Sequence, residues 1–129
     1  MKHDIINDAI SMMRNYERSG KRVCVIAPIS KLLVDILHVF QKEGYIGEFE
    51  VSENAVGGEI RVKLIGKIND CGVIKPHFPS KYLEFPKWEK RFLPSRDFGT
   101  IVVSTDKGVV SHKAARESEQ GGRLLAYVY

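Results

Sequence analysis

Apolar residues in two early segments recur every three or four positions, which is the spacing of one helix face. The pattern predicts a helix over residues 4–18 and a second helix from residue 31 to about residue 43. Asp4 and Ser30 stand at the start of these segments, and both residue types favour the N-cap position. Gly44 follows the second segment, where glycine accepts the left-handed conformation that ends many helices.

Shorter apolar runs predict three strands around these helices. Residues 23–26 (VCVI) form a continuous apolar run, whereas residues 59–65 alternate apolar with polar side chains, so that one strand face should be solvated. Residues 45–51 complete the set, and the glycine-containing residues 52–58 should connect the last two strands as a hairpin loop. The order helix, strand, helix, strand, strand predicts an N-terminal α/β lobe over residues 1–66.

Glycine and proline interrupt the second half of the chain, so regular elements there should be short. An edge strand is predicted at residues 73–78, because a proline is tolerated at a sheet edge. About one helical turn is predicted within residues 85–94. The clearest strands are residues 98–103 and residues 124–129. The predicted fold class is α+β in two small lobes: an N-terminal α-β-α-β-β layer and a mostly β C-terminal lobe with a short helix, residues 67–129.

Trp88 lies in the predicted helical turn of the second lobe and has two interpretations. It either covers the apolar core of this lobe or offers an exposed ring on which a base stacks. Large aromatic residues contribute to cores more often than to exposed platforms, so the first interpretation is favoured.

Composition is typical of a folded protein. Of the 129 residues, 43% are apolar and 28% are charged, which provides enough apolar material for a core. No apolar run reaches the roughly 18 residues that a membrane-spanning helix needs, and the N-terminus lacks an apolar secretory segment. These observations predict a cytoplasmic protein without a signal peptide. Cys24 and Cys71 are isolated in the sequence and are expected to be reduced thiols.

The net charge of +4 is distributed unevenly along the chain. Residues 1–33 contain six basic and three acidic residues, residues 34–64 contain three and six, and residues 65–129 contain eleven and seven. Basic segments of this kind favour polyanionic partners such as nucleic acid. Ordinary scatter of surface charge explains the same numbers, so charge alone does not decide the function.

The residues that usually perform catalysis or bind metal are not arranged for either task. Ser111 and His112 are adjacent in sequence, and adjacent side chains usually diverge instead of forming a nucleophile and its base. Cys71 and His77 alone are too few ligands for a zinc site. Motifs for nucleotide binding and for a hydrolase nucleophile do not occur in the sequence. The sequence therefore predicts no catalytic residue, metal, cofactor or small-molecule substrate.

Residues 99–123 combine small polar side chains, glycines and cations in a pattern that suits RNA. Ser104 and Thr105 are short hydrogen-bonding residues at the start of a predicted turn, the tip, and Gly108 lets a backbone approach closely. Ser111 should cap a short helix whose first amides face outward, where a phosphate binds readily. The end of this stretch adds two glycines and a cation: Gly121, Gly122 and Arg123.

The order of several short motifs resembles the family of small-subunit ribosomal protein eight. The C-terminal signature consists of the Ser-Thr-x-x-Gly tip, a Ser-His-x-x-Ala helix start and Gly-Gly before the last strand. Earlier motifs that follow the family's order are residues 13–15, 27–31, 42–46 and 74–76, which read MRN, APISK, KEGYI and IKP. Residues 87–94 (KWEKRFLP) resemble the archaeal and eukaryotic cytosolic branch, which is longer here than the bacterial branch.

This resemblance implies a structural, non-enzymatic component of the small ribosomal subunit that supports subunit assembly and translation. Its C-terminal lobe would bind a helix in the central domain of small-subunit rRNA, and neighbouring ribosomal proteins would be further partners. A second, weaker RNA surface is expected on the N-terminal lobe, where Arg14, Lys21, Arg22 and Lys31 would contribute. The predicted RNA-binding residues are Ser104, Thr105, Lys107, Gly108, Ser111, His112, Gly121, Gly122, Arg123, Lys75, Arg14, Asn15, Ser30 and Lys31.

Two residues depart from the family pattern. Asp106 stands where a serine is common, so one hydrogen-bond donor at the tip is in doubt. Arg123 stands where bacterial members often have an acidic residue, which is consistent with a difference between branches.

Two other classes of function stay open. The acidic middle of the chain, residues 34–64, would suit a module that binds proteins and ignores RNA. A hydrolase that uses His112 as its base is the other alternative, and it would lose its activity in a His112→Ala variant.

Overall fold

A computed structural model describes residues 4–52, 57–95 and 98–129 of the chain, and it confirms the predicted α+β class. The α-helices are Ile5–Arg18 (α1), Lys31–Lys42 (α2), Phe85–Phe92 (α3) and His112–Glu117 (α4), and Tyr82–Glu84 forms one turn of 3-10 helix. The strands are Val23–Ile26 (β1), Ile46–Ser52 (β2), Glu59–Leu64 (β3), Cys71–Val73 (β4), Pro79–Ser80 (β5), Thr100–Thr105 (β6), Gly108–Ser111 (β7) and Gly122–Val128 (β8). Within these ranges, every helix is too short or too polar to cross a bilayer.

The strands form two antiparallel sheets. The first sheet has the order β1-β3-β2, and the second has the order β4-β8-β6-β7 with β5 also paired to β8. The last strand, β8, therefore lies at the centre of the second sheet and contacts three other strands. The predicted hairpin loop between β2 and β3 includes residues 53–56, which lie outside the described residues.

The two long helices begin where the sequence predicts. The Asp4 side chain accepts a hydrogen bond from the Asn7 backbone N–H at 3.0 Å, and Ser30 Oγ accepts one from the Leu33 N–H at 3.2 Å. Gly44 follows α2 with φ +83°, a conformation that favours glycine. The predicted caps and helix end are thus confirmed.

One apolar core is shared by the two sheets. Buried residues of α1 and α2, such as Ile10 and Phe40, belong to the same cluster as Val102 of β6 and Leu125 of β8. A polar contact joins the same elements, since Thr100 of β6 donates a hydrogen bond to Glu43 at 3.3 Å. The predicted lobe boundary near residue 66 stays a prediction, and the packing across it is continuous.

The two cysteines are part of this shared core and are not paired with each other. Cys24 and Cys71 are both free and fully buried. Burial raises the pKa of the Cys24 thiol to about 11 and that of the Cys71 thiol to about 12. Both thiols are protonated at neutral pH and therefore poor nucleophiles, which confirms their predicted role as packed, reduced side chains.

A second apolar cluster lies between the second sheet and α3. Trp88 is only 6% exposed, contributes its ring to this cluster, and donates a hydrogen bond from Nε1 to Ser80 Oγ at 3.0 Å. The interpretation of Trp88 as a cover for the core is confirmed. Its buried N–H is satisfied by the side chain of a strand residue, as a buried tryptophan requires.

Two elements of the second lobe differ from their predicted extents. The helix expected as one turn within residues 85–94 is eight residues long, because Pro86 is compatible with a first helical turn and Phe85 and Trp88 share one buried face. The edge strand expected at residues 73–78 lies earlier, at Cys71–Val73. Pro76 has no N–H to continue the ladder, which stops after the Ile74 N–H donates to the Leu125 carbonyl oxygen at 3.0 Å. The pairing with β8 resumes where the Leu124 N–H donates to the Phe78 carbonyl oxygen at 3.0 Å, and it continues into β5.

The shared core gives a direct prediction for stability. The Phe40 side chain is fully buried, so Phe40→Ala should lower the free energy of unfolding by about 3 to 5 kcal/mol. Leu83 is 76% exposed and serves as the control, because Leu83→Ala should change that free energy by less than about 0.5 kcal/mol. Urea titration monitored by far-UV circular dichroism would measure both values. Equal midpoints for the two variants would contradict the position of the core.

Candidate nucleic-acid interface

The tip, residues 104–108, is a tight turn between β6 and β7. Thr105 pairs with Gly108 in the strand register, and Gly108 has φ +126°, which favours glycine. The Thr105 hydroxyl donates a hydrogen bond to the Gly108 carbonyl at 2.8 Å and accepts one from the Lys107 N–H at 3.2 Å. Thr105 thus holds the turn together, while Asp106 and Lys107 are exposed at its end.

Ser104 differs from its neighbour because its hydroxyl makes no hydrogen bond to any of the residues that the structure describes. The residue is half-buried at the end of β6 and pairs with Arg123 of β8. A hydroxyl held on a strand without an internal partner keeps both its donor and its acceptors for a ligand.

The glycine pair before β8 brings three backbones together. A Cβ added to Gly122 would overlap the Ser104 carbonyl oxygen of β6, and a Cβ added to Gly121 would overlap the Ser80 carbonyl oxygen of β5. Both positions therefore require the absence of a side chain. The sequence predicted these glycines as part of the RNA surface, and the structure shows that they allow a close approach to neighbouring strands of the same lobe.

An open depression lies beside the tip, where β5, β6 and β8 meet. Its volume is about 620 Å³, and four predicted residues line it: Ser104, Thr105, Gly122 and Arg123. Sequence reasoning missed Lys81 and Glu84, which also line the depression. The pairing of β5 with β8 places them there, and two strand residues give no periodic signal in the sequence.

The charges around this depression are mixed. Arg123 Nη1 donates a hydrogen bond to the His77 carbonyl oxygen at 3.4 Å, which directs the guanidinium along the sheet edge. Lys81 is exposed, and its backbone N–H donates to Glu84 Oε1 at 3.0 Å. Asp106 is the second acid in the lining. Two bases and two acids therefore line the depression and leave it near neutral.

The short helix α4 begins at Ser111, as the sequence predicts. Ser111 Oγ accepts a hydrogen bond from the Ala114 N–H at 3.2 Å and caps the helix. The serine side chain is therefore already occupied by its own helix. The hydroxyl is therefore not free for RNA, and only the backbone amides at the start of α4 could still make the predicted contact.

His112 is buried, with an exposed fraction of 1%. Its Nδ1 accepts a hydrogen bond from the Ile101 N–H at 3.0 Å, and Nε2 lies 3.2 Å from Glu89 Oε1, to which it donates. Glu89 also accepts a hydrogen bond from Arg116 Nη1 at 3.3 Å. This corrects the expectation that the His112 ring reaches RNA: both ring nitrogens are occupied inside the protein. The same geometry counts against a hydrolase base at this position.

The environment of His112 keeps the imidazole neutral. Burial lowers the His112 pKa to about 4, and the nearby Lys113 and Arg116 charges act in the same direction. The Ile101 N–H also occupies the nitrogen lone pair that a second proton would need. The ring is thus a fixed connector between β6, α3 and α4.

The predicted residues outside the C-terminal signature do not line the depression. Arg14 was expected to be free for a partner, but its guanidinium forms an ion pair with Asp70 at 3.8 Å. Ser30 is occupied as the cap of α2, and Asn15 is exposed. Two lysines are exposed and paired with acids: Lys31 with Asp35 at 3.5 Å, and Lys75 with Asp4.

The Gly122 contact predicts a local structural effect. Gly122→Ala should lower the free energy of unfolding by about 1 to 3 kcal/mol, because the methyl group overlaps a backbone oxygen that cannot rotate away. It should also reduce the hydrogen-exchange protection of the Ser104–Arg123 pairing. Gly20→Ala is the control for steric overlap, since a Cβ there meets nothing within 4 Å. Its φ of +75° strains an alanine, so this variant should lose about 1 kcal/mol of stability but keep the protection of the Ser104–Arg123 pairing. Unchanged protection in Gly122→Ala would show that the close approach is not required.

The buried histidine predicts a dependence of stability on pH. The His112 pKa is lower in the folded chain, about 4, than its usual value near 6.5, so folding favours the neutral ring. The resulting stability is complete above pH 6.5 and is lost as the pH falls towards 4, with a loss of roughly 2 to 3 kcal/mol at pH 4.5. Urea titrations between pH 7 and pH 4.5 would measure this change. His112→Gln should show a correspondingly smaller change, and an identical change in both proteins would contradict the assignment.

One comparison with known proteins gives a result that covers nearly the whole chain. Residues 4–129 match the family model described as Ribosomal protein S8. The matched range includes the tip, the depression and the buried contacts of His112. The resemblance drawn from the short sequence motifs is thereby confirmed.

Proposed function

The chain belongs to the ribosomal protein S8 family, and we propose that it binds a central-domain helix of small-subunit rRNA through the tip and the adjoining depression. Membership makes it a ribosomal protein of the small subunit, in a family that is structural and not enzymatic. We further propose that it supports subunit assembly and translation in cytoplasmic ribosomes, beside other small-subunit proteins. The assignment to the archaeal and eukaryotic branch stays a prediction.

The observation that carries this proposal is the position of Ser104. Its hydroxyl has no hydrogen-bond partner among the described residues, yet it stands on a strand fixed by β8 on one side and β7 on the other. The shallow minor groove of an RNA helix presents 2′-hydroxyls and base edges, which a short, rigid hydroxyl can contact. The Thr105 hydroxyl is engaged within the turn, so this residue stabilises the tip beside Ser104.

The charged residues around Ser104 have separate roles in this proposal. Lys107, at the end of the turn, and Arg123, in the depression, would contact phosphates. Asp106 is exposed at the turn, and a carboxylate there is compatible with RNA when it accepts a hydrogen bond from a ribose hydroxyl or a base amino group. Because acids and bases are balanced here, the interaction should depend only moderately on salt.

We place the weaker RNA surface on exposed residues of the N-terminal lobe. Asn15 lies on the exposed side of α1, and Lys21 and Arg22 follow that helix and are exposed. The Lys21 ammonium lies 4.6 Å from the centre of the Tyr16 ring, which limits its range of positions. Lys31 completes this set, because its side chain is 89% exposed although it pairs with Asp35. Arg14 is excluded from it, because its guanidinium is paired with Asp70 and its side chain is only 34% exposed.

The proposal predicts that mutations can separate the neutral hydrogen bond made by Ser104 from the phosphate contact made by Lys107. Wild-type protein should bind an rRNA fragment that contains the central-domain helix, with a log–log salt slope of roughly −3 to −5. Ser104→Ala should cost about 1 kcal/mol without changing that slope, since it removes one neutral hydrogen bond. Lys107→Ala should flatten the slope by about one unit, as the loss of one phosphate contact would. Fluorescence titrations at several salt concentrations would give both quantities.

Matched controls exist for both substitutions. Ser118 is an exposed serine of the same lobe whose hydroxyl donates to the Ala114 carbonyl, and Ser118→Ala should bind RNA as wild type does. Lys63 is an exposed lysine on β3, and Lys63→Ala should leave the slope unchanged. Salt-independent binding by the wild type, or wild-type affinity in Ser104→Ala, would overturn the proposal.

A further inference from the structure

A row of aromatic rings runs from the segment before β5, across α3, to the end of β8. Phe78 stacks on Trp88 with ring centroids 4.9 Å apart, and Trp88 is followed by Phe92 at 6.2 Å. Phe92 in turn stacks on Tyr127 at 5.7 Å. The planes of neighbouring rings differ by at most 24°, so the row offers a series of similarly oriented faces.

Two exposed cations of α3 lie over this row. The Arg91 guanidinium carbon is 5.1 Å from the centre of the Phe78 ring and 5.3 Å from that of Phe92. The Lys87 ammonium is 4.8 Å from the centre of the Trp88 ring. These distances lie within the range of about 6 Å in which a cation is attracted to a ring face. The rings therefore restrict the positions of both charges.

These two cations have no acidic partner within 4.0 Å among the described residues, in contrast to Lys31 and Lys75. Lys87 and Arg91 are four residues apart on α3, which places them on one side of the helix. The acid of the same helix, Glu89, is buried and bound to His112 and Arg116. The exposed side of α3 thus presents positive charge that the rest of the described protein does not neutralise.

The cations of α3 are connected to the tip surface through two consecutive residues. Arg91 lies over the Phe78 ring, and the preceding residue, His77, accepts the hydrogen bond from Arg123. Arg123 lines the depression and pairs with Ser104. Arg91 and Arg123 therefore both contact the segment formed by His77 and Phe78, which joins the near-neutral depression to the cations of α3.

We propose that Lys87 and Arg91 form a phosphate-binding track that contacts the rRNA backbone beyond the part of the helix held at the tip. This inference rests on the proposed function, because the tip sets the position of the RNA. A guanidinium that uses its face to stack on rings keeps its N–H edge for a phosphate. Cations already positioned by rings lose less conformational freedom on binding than free side chains do.

The experiment uses variants that keep the apolar part of each side chain and remove its charge. Lys87→Met, Arg91→Met and the double variant would be compared with wild type, with Lys63→Met as the control on the first sheet. Thermal unfolding would first establish that each variant is folded. Two RNAs would be titrated over a range of salt: a fragment with the central-domain helix and its flanking duplex, and a fragment trimmed to the part bound at the tip.

On the long RNA, the double variant should flatten the salt slope by about 1.4 to 1.8 units, at roughly 0.7 to 0.9 units per phosphate contact. Its affinity should fall about tenfold at moderate salt, and Lys63→Met should match wild type. On the trimmed RNA, the double variant should bind as wild type does, because the contacts of α3 lie beyond it.

Three results would overturn the inference. If the double variant gave the wild-type salt slope on the long RNA, Lys87 and Arg91 would not contact phosphates, and only the tip contact would stand. The same loss on both RNAs would mean that α3 acts on the tip region itself. Unchanged RNA binding together with poorer incorporation into small subunits would assign this side of α3 to a protein neighbour. If wild-type protein bound neither RNA, the proposed function itself would fail, which is a distinguishable outcome.

Discussion

The close approach of three backbones at Gly121 and Gly122 is the constraint on which the second lobe depends. Because neither position has room for a Cβ, β8 can lie against β6 and β5 at the same time. This approach brings Arg123 beside Ser104 and places the Lys81 segment on the opposite side of the depression. The proposed RNA contact therefore depends on the absence of side chains at Gly121 and Gly122, which allows these strands to approach one another.

A buried polar network fixes the helices to this strand framework. His112 stands where the chain turns from β7 into α4, and its ring takes the Ile101 N–H of β6 as a hydrogen-bond donor. Glu89 binds the other ring nitrogen and Arg116, so α3, α4 and β6 share one network. Each buried polar group in it has a partner, which is the condition under which such a network makes a structure more rigid. The exposed cations of α3 thereby keep a fixed position relative to the tip.

The sequence was sufficient for the elements that depend on local periodicity. The apolar spacing and the caps at Asp4 and Ser30 predicted α1 and α2, and the β-branched run before the tip predicted β6. The length of α3 was not predicted, because it depends on the tertiary burial of Phe85 and Trp88. The position of β4 and the existence of β5 were not predicted, because they depend on pairing with β8, about fifty residues later in the chain. For the same reason the sequence showed neither the ion pair of Arg14 with Asp70 nor the burial of His112. Composition and spacing show which groups are present, whereas long-range pairing decides which of them remain available to a partner.

This distinction bears on how a chain with a net charge of only +4 could recognise a polyanion. Several of its predicted RNA-binding cations are engaged with acids of the same chain, among them Arg14, Lys31 and Lys75. Most of the other lysines and arginines among the described residues form no ion pair, and Lys87 and Arg91 are among those that aromatic rings hold in place. The proposed function assigns phosphate contacts to only a few of them, at the tip and on α3, and so few contacts would give little affinity for an arbitrary duplex, since non-specific binding grows with the number of phosphates neutralised. On that proposal, selectivity would come from the fit of the tip to a particular groove, with the cations held by rings adding affinity only when the RNA backbone follows the required path.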